Sequence, residues 1–324
     1  MTQDERRKYL IQYLLKEEIR FGRQNIPTDK QGQENLLRSL MNIRPPRPIS
    51  NDFLKIQDEY LTERNIERGI TDVDTLAPVK SDSRLYIWQG DITTLKCDAI
   101  VNACNSQMLG CFSPMHACID NFIHTYAGME LRLKMHEIMA KQGHEEETGK
   151  AKITSGYNLP AKYILHTVGP IIQWKVTKED EALLASCYTE CLKLAADTGV
   201  ESIAFCCLST GVFRFPQQRA AEIATNTVKQ YLDKGVEVSK KGLKSAGSAI
   251  SEFGDKSVNK IDIVQLKNHL VKKYQELGQV VAEQLAEDGI SISKDSIVVS
   301  EKLSSIKELM IVLKIKLVMI LQHL

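Results

Sequence analysis

Short apolar runs alternate with helical patterns between residues 81 and 233, and this alternation limits the possible folds more than any other feature. It is typical of a parallel or mixed sheet that is covered by helices. The runs are almost continuously apolar, which indicates strands that are buried on both faces. We therefore predict an α/β fold with strands at residues 85–89, 99–103, 152–156, 163–168 and 202–207, and helices at residues 120–142, 179–198 and 217–232.

The segments on either side of this region have different patterns. Apolar residues recur at helical spacing within residues 1–80, and three prolines from Pro45 to Pro48 divide the pattern. Residues 236–324 contain no cysteine, proline or tryptophan, begin with a serine- and glycine-rich stretch and carry one apolar stripe from Ile263 to Leu285. The sequence thus predicts an N-terminal helical region (1–80), an α/β region (81–235) and a helical C-terminal extension without an assigned role (236–324).

The charge balance and the cysteine content restrict the partners and the compartment. The chain has 42 lysine and arginine residues against 41 aspartate and glutamate residues, so we expect no nucleic acid partner. Lys314 and Lys316 interrupt the apolar C-terminus, so we expect no membrane span. The eight cysteines follow no apolar leader, which favours a reducing compartment, and we expect the cytoplasm.

Polar residues follow two of the predicted strands. Asp91 comes directly after the first strand, where its carboxylate could accept a hydrogen bond from an exocyclic amine or could cap a helical turn. Asn102 and Asn105 lie at the end of the next strand, where their amides could orient ribose hydroxyls or form a turn.

A hydroxyl-rich loop follows the last predicted strand of the α/β region. Its backbone N–H groups could close on a diphosphate, although it matches no general nucleotide-binding motif. Phe213 could stack on a ring or pack in the core, and Phe215 is expected in the core. The candidate ligand-binding residues of this loop are Ser209, Thr210, Gly211, Val212 and Phe213.

The most distinctive motif is a Cys-x4-His-x-Cys spacing formed by Cys111, His116 and Cys118. Three ligands of this kind suit zinc and leave one position open for water or substrate. Alternatively the zinc is structural, or no metal binds and the cysteines are small apolar residues. Asp120 could orient a ribose hydroxyl or a water molecule, or could cap a helix. A fourth ligand for a structural zinc could come from His124, His144, Cys97 or Cys104.

Taken together, these motifs resemble a macrodomain, and residues 110–118 resemble the zinc-containing microbial subclass, which removes ADP-ribose from proteins. The resemblance covers about residues 81–233 and implies a three-layer α/β/α fold with a mixed central sheet. It implies that Asp91 and the Ile92 backbone bind adenine, that residues 209–213 hold the diphosphate, and that one zinc ion is bound per chain. It further implies that Asn102, Asn105 and Asp120 surround the distal ribose, with Asp120 and Asn105 as catalytic residues and Cys111, His116 and Cys118 as zinc ligands.

We therefore expect a zinc-dependent hydrolase that cleaves the bond at the distal ribose of an ADP-ribosylated protein. The resemblance suggests a lipoyl-carrier protein, modified by a sirtuin-like transferase, as a substrate. The alternatives are a non-catalytic ADP-ribose-binding module and an interaction protein in which the zinc is structural.

The C-terminus departs from the macrodomain pattern because no final strand follows the helix at residues 217–232. Residues 296–300 or 309–320 could supply that strand. Otherwise the strand is missing, or residues 236–324 form a foreign extension.

Overall fold

A computed structural model of the chain describes residues 1–17, 25–244 and 316–320, with side chains up to residue 234. Three helices form the N-terminal region, as predicted: α1 (Gln3–Glu17), α2 (Lys30–Ile43) and α3 (Asn51–Glu67). Side-chain oxygens cap two of them, since Asp29 accepts from the Gly32 N–H and Ser50 accepts from the Phe53 N–H. The helices enclose a small core that includes Leu10, Leu14, Leu37, Leu40, Phe53 and Leu61.

The rest of the described chain forms a mixed sheet with helices packed against it. The strands are β1 (Thr71–Asp72), β2 (Pro78–Val79), β3 (Asp82–Trp88), β4 (Leu95–Lys96), β5 (Ala99–Cys104), β6 (Ala151–Ser155), β7 (Tyr163–Val168), β8 (Ser202–Phe205) and β9 (Lys316–Ile320). The helices are α4 (Ile119–Ala127), α5 (Met129–Gln142), α6 (Lys178–Asp197) and α7 (Gln217–Lys244).

The main sheet has the order β2-β3-β9-β8-β5-β7-β6, and β1 pairs with β4 apart from it. Strands β3, β9, β8, β5 and β7 are parallel to one another, whereas β2 and β6 run antiparallel at the two edges. Helix α4 packs with α5, and α6 packs with α7. This is the predicted three-layer α/β/α arrangement.

The C-terminal segment supplies a strand to the middle of the sheet. Strand β9 lies between β3 and β8, with Val318 opposite Tyr86 on one side and Ala204 on the other. Residues 316–320, which belong to the predicted alternative at residues 309–320, therefore fill the expected gap. The apolar stripe from Ile263 to Leu285 and the alternative strand at residues 296–300 lie outside the described residues.

Helix α7 also extends further than predicted. It continues to Lys244 without a break at residue 235, where the sequence pattern places the end of the α/β region. The α/β region therefore gains part of helix α7 and strand β9 from the segment that the sequence pattern separates as an extension.

The single helix predicted at residues 120–142 is wrong, because the structure has two helices there. Gly128 separates α4 from α5 with φ +103°, a conformation that favours glycine. A Cβ atom on Gly128 would lie 2.7 Å from Nε2 of Gln57, whose Oε1 accepts a hydrogen bond from the Met129 N–H. Contact with α3 therefore sets the break, and a pattern of apolar residues along α4 and α5 carries no sign of it.

The core lies between the sheet and its helices. Ile100, Val101, Ile164, Leu165 and Ile203 are buried, which confirms the burial predicted from the continuous apolar runs. Phe215 is buried in the same core, as expected. All eight cysteines are free thiols. Within the described residues, no helix combines the length and the apolar character that crossing a membrane requires.

Candidate active site

The candidate site lies at one edge of the sheet. Strands β3, β5, β7 and β8 run parallel within one sheet, so their carboxyl ends meet at the same edge. Asp91 follows β3, the cysteine- and histidine-containing loop follows β5, and residues 209–213 follow β8. The topology therefore brings together the three motifs that the sequence analysis selected.

The structure brings Cys111, His116 and Cys118 together. One ligand atom from each side chain lies within 4.8 Å of the other two, and Sγ of Cys111 is 3.6 Å from Nδ1 of His116. All three side chains are half-buried. In the part of the chain that the structure describes, this is the one such group of potential metal ligands, and none of His124, His144, Cys97 and Cys104 belongs to it.

Local geometry explains how the loop between β5 and α4 reaches this arrangement. The Asn105 side chain closes its first turn, accepting from the Met108 N–H at 3.1 Å and donating to the Gly110 carbonyl at 3.3 Å. Gly110 has φ +85°, and a Cβ atom there would lie 2.8 Å from the buried His124 ring. At the other end, Cys118 caps α4, since its Sγ accepts from the Asn121 N–H at 3.4 Å.

The two thiols and the imidazole are a donor set that zinc prefers. Burial raises the pKa of the Cys118 thiol, and the neighbouring Cys111 raises it further. Thiolates are the metal-binding form, so a divalent cation would offset the cost of ionising these two side chains together. The residues present therefore fit zinc.

Asp120 lies two residues after Cys118, in the first turn of α4, and is only 3% exposed. Burial raises the pKa of its carboxyl to about 6, although a hydrogen bond from Asn102 and the charge of Arg132 oppose the rise. The Asn102 amide donates to Asp120 Oδ1 at 2.8 Å. Asn102 is completely buried, so in this structure it orients Asp120 and presents no open surface.

His166, which belongs to none of the motifs in the sequence, extends this arrangement into the sheet. Burial lowers its pKa to about 3, so its imidazole is neutral. Nδ1 lies 3.2 Å from the Asn102 amide nitrogen and accepts from it, and Nε2 lies 2.9 Å from the Thr154 hydroxyl and donates to it. A hydrogen-bonded chain thus runs from Asp120 through Asn102 and His166 to Thr154.

Asp91 both caps a turn and remains accessible. Its Oδ1 accepts from the Thr93 N–H at 2.9 Å and from the Thr93 hydroxyl at 2.6 Å, which is the capping arrangement. The carboxylate is also paired with Arg68 and is 39% exposed. The Arg68 guanidinium lies 3.4 Å from the centre of the Tyr126 ring. Arg68 comes from the end of α3 and has no signal in the motif around Asp91, so sequence reasoning missed it. Ile92, the next residue in the chain, is completely buried.

Residues 209–213 form a tight turn over the end of β8. Ser209 has φ +61° and its carbonyl accepts from the Phe215 N–H at 2.9 Å, while the Thr210 hydroxyl donates to the Cys207 carbonyl. The half-buried Phe213 is tied to the β7–α6 connection, since its carbonyl accepts from the Ile172 N–H at 2.8 Å. Gly211 and Val212 are exposed at the tip of the turn.

Comparison with known proteins gives the family. The Macro domain family matches residues 101–224. A protein-ADP-ribose hydrolase of Treponema medium is 59% identical over 233 residues, which are 71% of this chain and 89% of that protein. A protein-ADP-ribose hydrolase of Staphylococcus aureus (strain MRSA252) is 51% identical over 230 residues, covering 69% of this chain and 86% of that one.

Among solved structures, the Oceanobacillus iheyensis macrodomain with MES bound is 41% identical. It aligns with a TM-score of 0.43 over 46% of this chain and 77% of that chain. The identity of 59% to a relative of which 89% is covered settles the family. The chain belongs to the macrodomain family, within the group of protein-ADP-ribose hydrolases.

Proposed function

We propose that this enzyme releases ADP-ribose from modified proteins by hydrolysing the bond at the distal ribose, with one zinc ion held by Cys111, His116 and Cys118. The observation that carries the proposal is the position of three ligand atoms within 4.8 Å of one another, two residues before the buried Asp120. The relatives named protein-ADP-ribose hydrolase support the removal of ADP-ribose from proteins.

The edge of the sheet would bind the ADP-ribose group along its length. The exposed Asp91 carboxylate, which Thr93 and Arg68 orient, would accept from the adenine amine beside the Ile92 backbone. The exposed tip of residues 209–213 would offer backbone N–H groups to the diphosphate. The distal ribose would then lie near Asp120 and Asn105, where we place the catalytic residues.

In the reaction, water adds to the anomeric carbon, the bond to the protein side chain breaks, and the proton of the water passes to the leaving side chain. Asp120, held by Asn102, would orient this water or the ribose, and its raised pKa suits a group that exchanges protons near neutral pH. Asn105 would contribute by holding the turn before Gly110. Zinc, when bound, would supply a Lewis acid that polarises ribose oxygens or lowers the pKa of water.

The test is turnover of an ADP-ribosylated protein, measured as free ADP-ribose by mass spectrometry. A lipoyl-carrier protein modified by a sirtuin-like transferase is the substrate we propose to use first. Release that stops with a chelator and returns with added zinc is the expected result. Binding of ADP-ribose without any release would contradict the proposal and identify a binding module.

The cysteine variant Cys118→Ala distinguishes a catalytic zinc from a structural one. With a catalytic zinc, the variant keeps the thermal unfolding curve of a folded domain and loses the release of ADP-ribose. An unfolded Cys118→Ala chain would instead support the interaction-protein alternative, in which the metal holds the fold together.

A further inference from the structure

Arg38 connects the N-terminal helical region to the loop that carries the candidate metal ligands. It lies on α2, more than seventy residues before Cys111, the first of these ligands, in the sequence. Its Nη2 donates to the His116 carbonyl at 2.8 Å, and its Nε and Nη2 donate to Oδ1 of Asn121 at 3.0 and 2.7 Å. The guanidinium also packs over the Phe122 ring, 4.1 Å from its centre. Contacts with three residues thus fix the orientation of this one side chain.

Asn121, which Arg38 contacts, is hydrogen-bonded in turn to the other two candidate ligands, Cys111 and Cys118. Its amide nitrogen donates to the Ser113 carbonyl at 2.9 Å and to the Cys111 carbonyl at 3.5 Å. Its backbone N–H donates to Sγ of Cys118 at 3.4 Å. Asn121 itself is completely buried. Arg38 and Asn121 together therefore hold Cys111 and His116 by their backbone and Cys118 by its sulfur.

The shape of the arginine side chain supports the same role. Arginine suits this position because its planar fork can donate to two acceptors at once, whereas the single ammonium group of lysine is a point charge on a flexible stem.

We propose that Arg38 is a positioning residue of the catalytic centre: acting through Asn121 and the His116 carbonyl, it presets the three metal ligands. The N-terminal helical region is then part of the active site. This inference rests on the proposed zinc-dependent function. It adds that the affinity for zinc depends on a residue that contacts neither the metal nor the substrate.

The experiment measures zinc affinity by competition with a chromogenic chelator, on full-length protein from which the metal has been removed. Partners that orient metal ligands typically contribute tenfold to 100-fold in affinity, so Arg38→Gln should bind zinc about 10- to 100-fold more weakly than the unaltered chain. Arg38→Lys should fall between the two, because it keeps the charge and loses the fork. The cobalt-substituted Arg38→Gln variant should also show a shifted thiolate-to-cobalt absorption band.

The matched control is Arg6→Gln, which removes an arginine of the same helical region that pairs with Glu59 and Glu63, away from the loop. It should bind zinc like the unaltered chain. Unchanged zinc affinity in Arg38→Gln, while the unaltered chain binds one zinc, would overturn the inference and leave the proposed function intact. Failure of the unaltered chain to bind zinc would overturn both. If Arg38→Gln does not fold, Arg38→Lys decides, and an affinity equal to that of the unaltered chain would refute the role of Arg38.

Discussion

Asp120 carries its proposed role because of what surrounds it. The carboxyl is buried, and one of its oxygens is held by an amide that is itself held by His166 in the neighbouring strand. Such a chain fixes the position of Asp120, while burial raises the pKa of its carboxyl. In the proposed function, residues of the sheet core would therefore contribute without touching the substrate.

Asp120→Asn tests the carboxyl group with little change in shape. Because the amide cannot exchange a proton as a carboxyl does, release of ADP-ribose should slow at least about 100-fold, and by a much larger factor than binding of free ADP-ribose weakens. The rate is measured on the ADP-ribosylated protein and the binding by calorimetry. Asp233→Asn, which alters an exposed carboxylate paired with Arg84, should leave both unchanged. A comparable loss of rate in both variants would count against a specific role for Asp120.

His166 should make the free energy of unfolding depend on pH. Its pKa is about 3 in the folded protein and about 6.5 in the unfolded chain, so only the unfolded chain takes up the proton between these values. Stability should therefore fall as the pH drops below about 6.5, by about 2 kcal/mol from this group between pH 7 and pH 5. In His166→Gln, the free energy of unfolding should therefore differ less between the two pH values than in the unaltered chain, as measured by urea unfolding.

His136→Gln is the control for the pH experiment. The His136 side chain is exposed in the folded chain, so this variant removes a histidine without removing a buried imidazole, and it should unfold like the unaltered chain. An equal pH dependence in His166→Gln and the unaltered chain would contradict the burial argument.

At the scale of elements, the loop between β5 and α4 depends on a close approach of backbone to side chain. Gly110 and Gly143 both have positive φ, but only Gly110 faces a neighbour, the His124 ring at 2.8 Å from an added Cβ atom. The first glycine therefore combines a conformational requirement with a packing requirement, and the second has the conformational requirement alone.

The pair Gly110→Ala and Gly143→Ala separates these two requirements. Gly143→Ala should lower the free energy of unfolding by about 1–2 kcal/mol, because a left-handed conformation is strained in alanine. Gly110→Ala should cost about 1–3 kcal/mol more through overpacking against His124, and should also weaken zinc binding. Chemical unfolding and chelator competition measure the two effects. Equal losses of stability in both variants would show that the contact with His124 does not contribute to the free energy of unfolding.

Several elements could be predicted because their signals are local. A few neighbouring residues are enough to recognise the apolar runs of β5 and β7 and the helical spacing in α1 and α2. The three candidate metal ligands also lie within a stretch of eight residues, from Cys111 to Cys118. The break at Gly128, the pairing of Arg68 with Asp91 and the contacts of Arg38 depend on helices from elsewhere in the chain. Contacts between segments that are distant in the chain produce no pattern of apolar residues or spacing, so they could not be predicted from the sequence.

At the scale of the whole molecule, the middle of the sheet is completed by a strand from the C-terminal segment. Strand β9 pairs on both sides, and without it β3 and β8 would each expose an edge. The pairing joins residues more than a hundred positions apart, which explains why the sequence pattern left four possibilities open for this strand.

Val318→Pro tests the place of β9. Proline removes a backbone N–H from the middle of the sheet, so the variant should lose about 2–4 kcal/mol of stability and should aggregate more readily. Val318→Ala keeps the N–H group and measures the effect of the side chain alone. Thermal unfolding and light scattering check both. Identical behaviour of the proline and alanine variants would mean that β9 is not paired on both sides.

The central claim, that Cys111, His116 and Cys118 hold a zinc ion with one position open, is tested most directly by zinc X-ray absorption on the purified protein. We predict one zinc per chain with two sulfur ligands at about 2.3 Å and lighter ligands at about 2.0–2.1 Å. Added ADP-ribose should change the lighter ligands only. A protein without zinc, a zinc bound by three or four sulfurs, or a spectrum that ADP-ribose leaves unchanged would contradict it.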